Sequence, residues 1–349
     1  MKSILTLLAF GAAAAPATAP GNALAFAPAS GSSVKRSFSE ATAWKLSSIE
    51  RVLDGQPSPM QAPELEGECR RELVVLDVYA ELAGGLPKRL ERDFESISGH
   101  SVLSIATTAE PEVLEVHLAS PHEDAKVTIE RKEPSAAPAF RVRGSDAASS
   151  PQFAGLREDL DLRALVAEEG VEEGDHWTID AATLADVFAP GGALDLAPKT
   201  GDLPLSAYLE PEDVGGTTLC CLADNAGELS GEVLCTWRST KKEGEASWAV
   251  IELEWDSTTR SDVAPELLRR LVESGDDSMR DQLSMLMSWK STGQGELTWD
   301  LAAHRARSFE LKLESVVDVE MRWEEDSSIV GYHFVLQATS ELATKIEAR

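Results

Sequence analysis

Residues 309–323 read FELKLESVVDVEMRW, and apolar side chains occupy alternate positions along most of this stretch. A period of two residues is typical of a β-strand with one buried face and one solvated face. The acidic turn at 324–328 and a second alternating stretch at 330–338 predict that the chain returns as an antiparallel partner. At about 3.4 Å per residue, the first strand would be roughly 50 Å long. The sequence therefore predicts a long antiparallel hairpin close to the C-terminus.

Strand-like patterns recur along the rest of the chain. They lie at residues 34–53, 73–82, 89–97, 114–118 and 249–255. The run at 73–82 is apolar at nearly every position, which indicates a strand covered on both faces. Residues 279–289 fit a helix and a strand equally well, so their conformation stays open at this point.

Three amphipathic helices are also predicted. They lie at residues 153–166, 180–188 and 265–273. Long strands twist, and a coiled antiparallel sheet offers a concave side that helices can fill. The predicted fold class is therefore α+β and β-dominated. It has one or two strongly curved antiparallel sheets, with a half-barrel as one form, and a few amphipathic helices cover the concave side.

A stretch rich in Pro, Ala and Ser at residues 133–152 indicates a linker or an exposed loop. It separates an N-terminal β-rich domain or layer, residues 26–150, from a C-terminal α+β domain or layer, residues 151–349. The second part carries the long hairpin. One domain and two domains both fit the sequence.

The first residues have the layout of a secretory signal peptide. Lys2 precedes an apolar stretch from Ile4 to Ala15, and Ala-x-Ala sites follow it. Cleavage is predicted after Ala17, so that residues 1–17 are removed, with Ala25 as the latest alternative. No cysteine lies near these sites, and no later stretch has the roughly 18–20 apolar residues needed to span a bilayer. The sequence predicts an exported protein of a bacterial periplasm or the extracellular space.

The charge is strongly acidic, with 32 Lys and Arg residues against 60 Asp and Glu residues, a net charge of -28. Such a field repels nucleic-acid phosphates and anionic lipid headgroups, so neither is an expected partner. No heptad pattern asks for a second chain, which predicts an acidic monomer. An apolar small molecule or a protein are the remaining partner classes.

The four cysteines are Cys69, Cys220, Cys221 and Cys235. A turn-like stretch at residues 224–227 would place Cys220 opposite Cys235 on two paired strands, and an oxidising compartment would allow a disulfide between them. No cysteine or histidine spacing typical of a zinc site is present, so no metal and no cofactor is predicted.

The sequence lacks the short motifs of serine hydrolases, phosphate-binding loops, helical zinc sites and calcium loops. Three histidine-containing stretches are candidate sites. Residues 117–124 contain two histidines and two acids, residues 174–177 read GDHW, and residues 99–101 read GHS. They are interpreted as a solvated strand end, a turn that directs Trp177 inward, and a turn between strands. The tryptophans at 255, 299 and 323 lie on apolar phases, which favours core packing over a ligand platform.

The leading functional prediction is an exported, soluble, non-enzymatic envelope or extracellular protein with a binding or structural role. The alternative is a carrier of a lipid or another apolar ligand. A carrier needs a cavity larger than about 300 Å³. Its predicted lining residues are Leu311, Leu313, Val317 and Val319. An exported hydrolase, the third class, would need a cleft that gathers histidines and carboxylates.

Overall fold

One antiparallel sheet of 14 strands contains most of the described residues. The computed structural model describes residues 24–60, 64–83, 86–106, 111–133, 136–144, 150–153, 155–167, 170–192, 194–198, 228–262, 284–325 and 328–348. The strands are β1 Ser33–Leu53, β2 Gln56–Pro59, β3 Glu64–Ala83, β4 Leu86–Ala106, β5 Pro111–Ala119, β6 Lys126–Glu130, β7 Ala139–Val142, β8 His176–Asp180, β9 Ala197–Pro198, β10 Glu228–Glu243, β11 Ala246–Asp262, β12 Ser284–Asp300, β13 Arg305–Glu325 and β14 Ser328–Ala348. Their main order is β7-β6-β4-β3-β1-β14-β13-β12-β11-β10-β8, while β2 pairs with β1, and β5 pairs with β4 and β9.

The predicted C-terminal hairpin is confirmed. Strands β13 and β14 are each 21 residues long and pair from Ser308↔Lys345 to Glu325↔Ser328. The strands predicted at 34–53, 73–82, 89–97, 114–118 and 249–255 also fall within observed strands. The ambiguous region resolves as a strand from Ser284 onward.

The ends of the described chain meet in the middle of the sheet. Strand β1 pairs with β14 from Val34↔Ala348 to Leu53↔Val330. Strands from both sides of residue 150 therefore belong to one sheet. The division into residues 26–150 and 151–349 stays a prediction.

Apolar and charged side chains alternate along the strands, so the two faces of the sheet differ in character. On β13, Phe309, Leu311 and Leu313 are buried and the intervening Glu310 and Lys312 are exposed. We call the side that carries the buried residues the inner face and the charged side the outer face. The predicted period of two residues thus corresponds to burial.

The inner face is covered by the described residues between 153 and 194 outside β8, which are mostly irregular chain and which we call the covering segment. It packs against β1, β3, β4 and β6 through one set of residues, Phe153, Leu156, Leu160 and Leu194. It packs against strands from β10 to β14 through a second set, Leu162, Leu165, Leu184, Val187 and Phe188. The segment therefore crosses the inner face and joins two core clusters.

The prediction of an α+β fold with amphipathic helices over a concave side is wrong. In the described residues the α-helical part is a single stretch of four residues, Ala185–Phe188. The 3-10 helices found there are short and lie at Pro151–Phe153, Arg163–Leu165 and Ala181–Leu184. The layer on the sheet is thus mostly irregular chain.

The helix predicted at 153–166 is absent, because the local backbone conformation excludes it. Gly155 and Leu162 have φ angles of 89° and 57°, in the left-handed region that a right-handed helix excludes. The Asp159 carboxylate accepts the Asp161 backbone N–H at 2.8 Å, a local bond that competes with helix formation. The apolar residues of this stretch are buried as predicted, but by tertiary packing rather than by helical periodicity.

The short helix predicted at 180–188 is present as consecutive 3-10 and α-helical turns. The Asp180 carboxylate accepts the Ala182 N–H at 2.9 Å, as expected of an N-cap residue. The helix predicted at 265–273 lies outside the described residues. Among the helices of the described ranges, none has the length and apolar character that crossing a bilayer would require.

Candidate functional site

The four residues predicted to line a carrier cavity are packed side by side on the inner face of β13. Leu311, Leu313, Val317 and Val319 are each at most 2 % exposed. Leu311 and Leu313 belong to the cluster beneath the covering segment, while Val317 and Val319 belong to a separate apolar cluster with Trp289. The described contacts therefore place these side chains in packed clusters.

A cavity of about 640 Å³ borders described residues of the sheet. It is lined by three consecutive residues from each of five neighbouring strands, namely 41–43, 68–70, 292–294, 312–314 and 339–341. Of the four predicted lining residues, only Leu313 borders it. The inward-facing residues Thr42, Cys69, Leu313 and Ser340 are at most 3 % exposed, whereas their chain neighbours are exposed. The open space therefore lies on the outer face, and we call it the outer groove.

Side-chain size explains the outer groove. Ala41, Ala43 and Thr339 form a low floor on β1 and β14, because their side chains are short. Taller charged residues stand on both sides. Lys312 and Glu341 form an ion pair of 2.8 Å, and this hydrogen bond raises the pKa of Lys312. The groove is thus polar and carries both signs of charge.

A buried ionic cluster lies on the inner face, between β1, β3 and β4. Asp77 accepts a hydrogen bond from Arg36 Nη1 at 2.7 Å. It also accepts bonds of 2.7 and 2.8 Å from Nε and Nη2 of Arg92. All three side chains are at most 1 % exposed. Charges so deep in a protein are tolerated only when they are paired and hydrogen-bonded.

The covering segment completes this cluster. The carboxylate of Asp161 accepts hydrogen bonds from Arg36 and from the Tyr79 hydroxyl. Arg92 donates to the backbone carbonyls of Arg157 and Glu158 at 2.8 and 2.9 Å. Two guanidinium groups thus face two carboxylates, and the charges balance. The cluster fastens the covering segment to the sheet.

The pKa shifts agree with this role. Burial lowers the pKa of Arg36, but Asp161, Tyr79 and Asp77 together outweigh burial, so its pKa is raised above the ordinary value. Burial raises the pKa of Tyr79, which therefore keeps its proton and serves as a hydrogen-bond donor to Asp161. These side chains are buried, so a ligand cannot contact them. Their hydrogen bonds link the sheet to the covering segment, which gives the cluster a structural role.

A second buried ion pair, between β1 and β3, also bonds the covering segment to the sheet. Arg71 pairs with Glu40 at 2.7 Å and donates to the backbone carbonyl of Phe188 at 2.7 Å. Arg71 and Glu40 are at most 6 % exposed. A cavity of about 20 Å³ borders both residues, which is room for one water molecule.

These ionic clusters were missed from the sequence, although a signal was present. Arg36 occupies the apolar phase between Val34 and Phe38, and Asp77 interrupts the apolar run at 73–82. A charge on the buried phase of a strand requires a partner. The identity of that partner depends on the register of three strands and on the path of the covering segment.

The histidine-containing stretches have different outcomes. His117 and His122 are separated: His117 is exposed on β5, whereas His122 is 3 % exposed and lies against Phe153 and Asp195. Of the two histidines, only His117 matches the predicted solvated strand end, and the neighbouring Glu123 and Asp124 are also exposed. A metal set that combines His117 with His122 does not form in the described residues.

The other two stretches were interpreted as turns. A turn at Gly174 does direct Trp177 and Ile179 against the core, as predicted. The turn predicted at Gly99 is wrong, because residues 99–101 lie within β4. Gly99 packs closely there, since an added Cβ would lie 3.0 Å from the Leu118 side chain, which would have to shift by a few tenths of an ångström.

Of the two cysteines in the predicted disulfide, the structure describes only Cys235. Cys235 is buried in the core on β10, and burial raises the pKa of its thiol to about 12. Cys220 lies outside the described residues, so the pairing of Cys220 with Cys235 stays a prediction.

His333 on β14 provides a pH-dependent interaction that can be measured. Its Nε2 lies 3.0 Å from the Asp318 carboxylate, and this hydrogen bond raises its pKa above 6.5, with Glu320 and Glu50 adding to the effect. A raised pKa in the folded state means that the interaction stabilises the protein below pH 6.5 and is lost as the pH rises through the folded-state pKa.

We therefore expect an NMR titration to give His333 a pKa above 6.5, and Asp318→Asn to lower it. Asp195→Asn is the matched control, because it removes a carboxylate beside His122 instead. A wild-type pKa of His333 at or below 6.5 would contradict the geometry.

The fold and these clusters define a β-rich protein built on one antiparallel sheet. No family model and no curated protein matches the sequence. Among solved structures, an outer membrane channel from Pseudomonas putida F1 is 8% identical, with 95% of this chain and 100% of that chain covered and a TM-score of 0.19. OpdQ of Pseudomonas aeruginosa is 8% identical, with coverage of 90% and 99% and a TM-score of 0.15. Similarities this low support no inference about function.

Proposed function

We propose that the protein is an exported, non-enzymatic protein of the cell envelope or exterior with a binding or structural role. The observation that carries this proposal is the contrast between the two faces of the sheet. The inner face is covered by the protein's own residues 153–194, whereas the outer groove is open and polar. A binding role would therefore use the outer face.

The first described residues bear on where the proposed leader would be cleaved. Leu24 is fully buried in the core, and the ring of Phe26 packs edge-on against Tyr79 at 5.9 Å between centroids. Cleavage after Ala25 would remove Leu24 from the folded protein. Cleavage after Ala17 would keep it, and we propose Thr18 as the first residue of the mature chain.

The carrier of an apolar ligand is the second candidate. Its site would involve the apolar cluster of Met287, Trp289, Val317 and Val319 on the inner face. Their side chains are at most 3 % exposed and contact one another, which favours packing over a ligand site. The binding or structural role therefore stands first.

Both candidates are tested by exporting the full chain from a bacterial host and measuring its intact mass, natively and after solvent extraction. We expect a mature chain that begins at Thr18, is recovered from the periplasm or the medium, and carries no extractable lipid. Retention in the cytoplasm with the leader intact would contradict export. Extra native mass that is lost on extraction as lipid would favour the carrier.

The same spectra test the disulfide. A mass about 2 Da below the all-thiol value would indicate one disulfide, because each bond removes two hydrogen atoms. Cys235→Ser should then abolish the deficit if Cys220 and Cys235 are the pair. A deficit that persists in this variant would contradict the pairing.

A further inference from the structure

Three potential metal ligands meet on the outer face of β4 and β5. His100 of β4 pairs directly with His117 of β5 across the ladder. Glu115 lies two residues before His117 and therefore points to the same face. The two imidazole rings are 4.8 Å apart between centroids, and Nε2 of His100 lies 2.7 Å from Oε1 of Glu115. Nε2 of His117 lies 3.9 Å from the same oxygen.

The spacing of the donor atoms suits a metal ion. One ligand atom from each residue lies within 4.8 Å of the others. A tetrahedral ion with bonds of 2.0–2.2 Å places its ligand atoms roughly 3.3 Å apart, between the shortest and longest of the observed separations.

We propose that His100, Glu115 and His117 bind one divalent transition-metal ion, for which Zn²⁺ fits best. Two imidazoles and one carboxylate form a donor set that Zn²⁺ uses in proteins with a fourth position left for water. Mg²⁺ and Ca²⁺ prefer oxygen ligands alone, so the two histidines select against them. This site goes beyond the proposed function, and the sequence did not predict it.

Access and charge are consistent with an ion-binding site. The side chains of His100, His117 and Glu115 are 33 %, 52 % and 56 % exposed, so an ion can reach all three. Arg70 of β3 is the cross-strand neighbour of His100. Its guanidinium is 66 % exposed and pairs with Glu68 at 3.5 Å.

The test is calorimetric titration of Zn²⁺ into the metal-stripped full mature chain in the presence of millimolar Mg²⁺. We expect one saturable Zn²⁺ per chain. His117→Ala and Glu115→Gln should each weaken binding at least tenfold. The matched control is His333→Gln, which removes a histidine that also lies between carboxylates, Asp318 and Glu50. It should leave the affinity unchanged.

A second measurement separates imidazole binding from loose attraction to the acidic surface. With Cu²⁺ as the probe, electron paramagnetic resonance should show coupling to two nitrogen atoms in the wild type and to one in His117→Ala. Because His117 is exposed, this variant should keep the wild-type thermal midpoint. The proposal fails if Mg²⁺ displaces the bound Zn²⁺, if no site saturates, or if His117→Ala binds as tightly as the wild type.

Discussion

Asp77→Asn is expected to lower the free energy of unfolding by about 3–5 kcal/mol, the usual loss when one partner of a buried ion pair is removed. The Asp77 carboxylate accepts three hydrogen bonds from Arg36 and Arg92 and is 1 % exposed. The amide keeps the shape of the side chain but removes its charge. Two buried guanidinium groups would then face the single carboxylate of Asp161, which leaves one positive charge uncompensated.

Chemical denaturation monitored by tryptophan fluorescence measures this loss. Glu341→Gln is the control, because it removes a carboxylate from an exposed pair with Lys312, and it should leave the denaturation midpoint unchanged. The double variant Arg92→Met/Asp77→Asn restores a balance of one positive and one negative charge and keeps the bond between Arg36 and Asp161. It should recover part of the lost stability. A double variant less stable than Asp77→Asn would show that charge balance is not the cause.

Phe188→Ala is expected to cost about 3–5 kcal/mol, as is typical of large aromatic residues removed from a core. The Phe188 ring is 5 % exposed and packs edge-on against Trp255 at 4.8 Å between centroids. Its backbone carbonyl accepts a hydrogen bond from Arg71. The substitution therefore leaves a cavity where the covering segment meets the sheet, and it weakens the contact that holds Arg71 in place.

Hydrogen exchange followed by mass spectrometry locates the effect of Phe188→Ala. Amides of the covering segment, residues 153–194, should lose protection more than those of the β13–β14 hairpin. Val316→Ala is the control, because Val316 is 47 % exposed on the outer face of β13. Equal protection of residues 153–194 in the wild type and in Phe188→Ala would contradict the proposed docking of this segment.

His117 and His100 show which part of the metal site can be predicted from local sequence. The strand around His117 could be predicted from the alternation of residues 114–118, and β5 confirms it. Its partner could not be predicted, because His100 comes opposite His117 only through the register of β4 against β5. The two residues are 17 positions apart in sequence, and the apolar pattern constrains which face they share but not which residue they oppose.

In the covering segment, burial was predicted correctly but the backbone conformation was not. Its apolar residues predict burial correctly at Leu156, Leu160 and Leu165, but a helix was inferred from their spacing. A broad sheet buries any apolar side chain that contacts it, and the backbone that carries the side chain does not have to be helical. Left-handed residues such as Leu162 are stabilised by tertiary contacts that a local pattern does not contain.

The amino-acid sequence by itself determined the long strands, their buried and exposed faces and the C-terminal hairpin, because alternation along one strand and a tight turn are local properties. Tertiary structure alone decided that β1 pairs with β14 and that residues 153–194 cover the inner face. It also decided that Arg36 and Asp77 meet Asp161 and that His100 meets His117. These contacts join residues far apart in the chain, so they depend on register and burial across the whole sheet rather than on any short stretch.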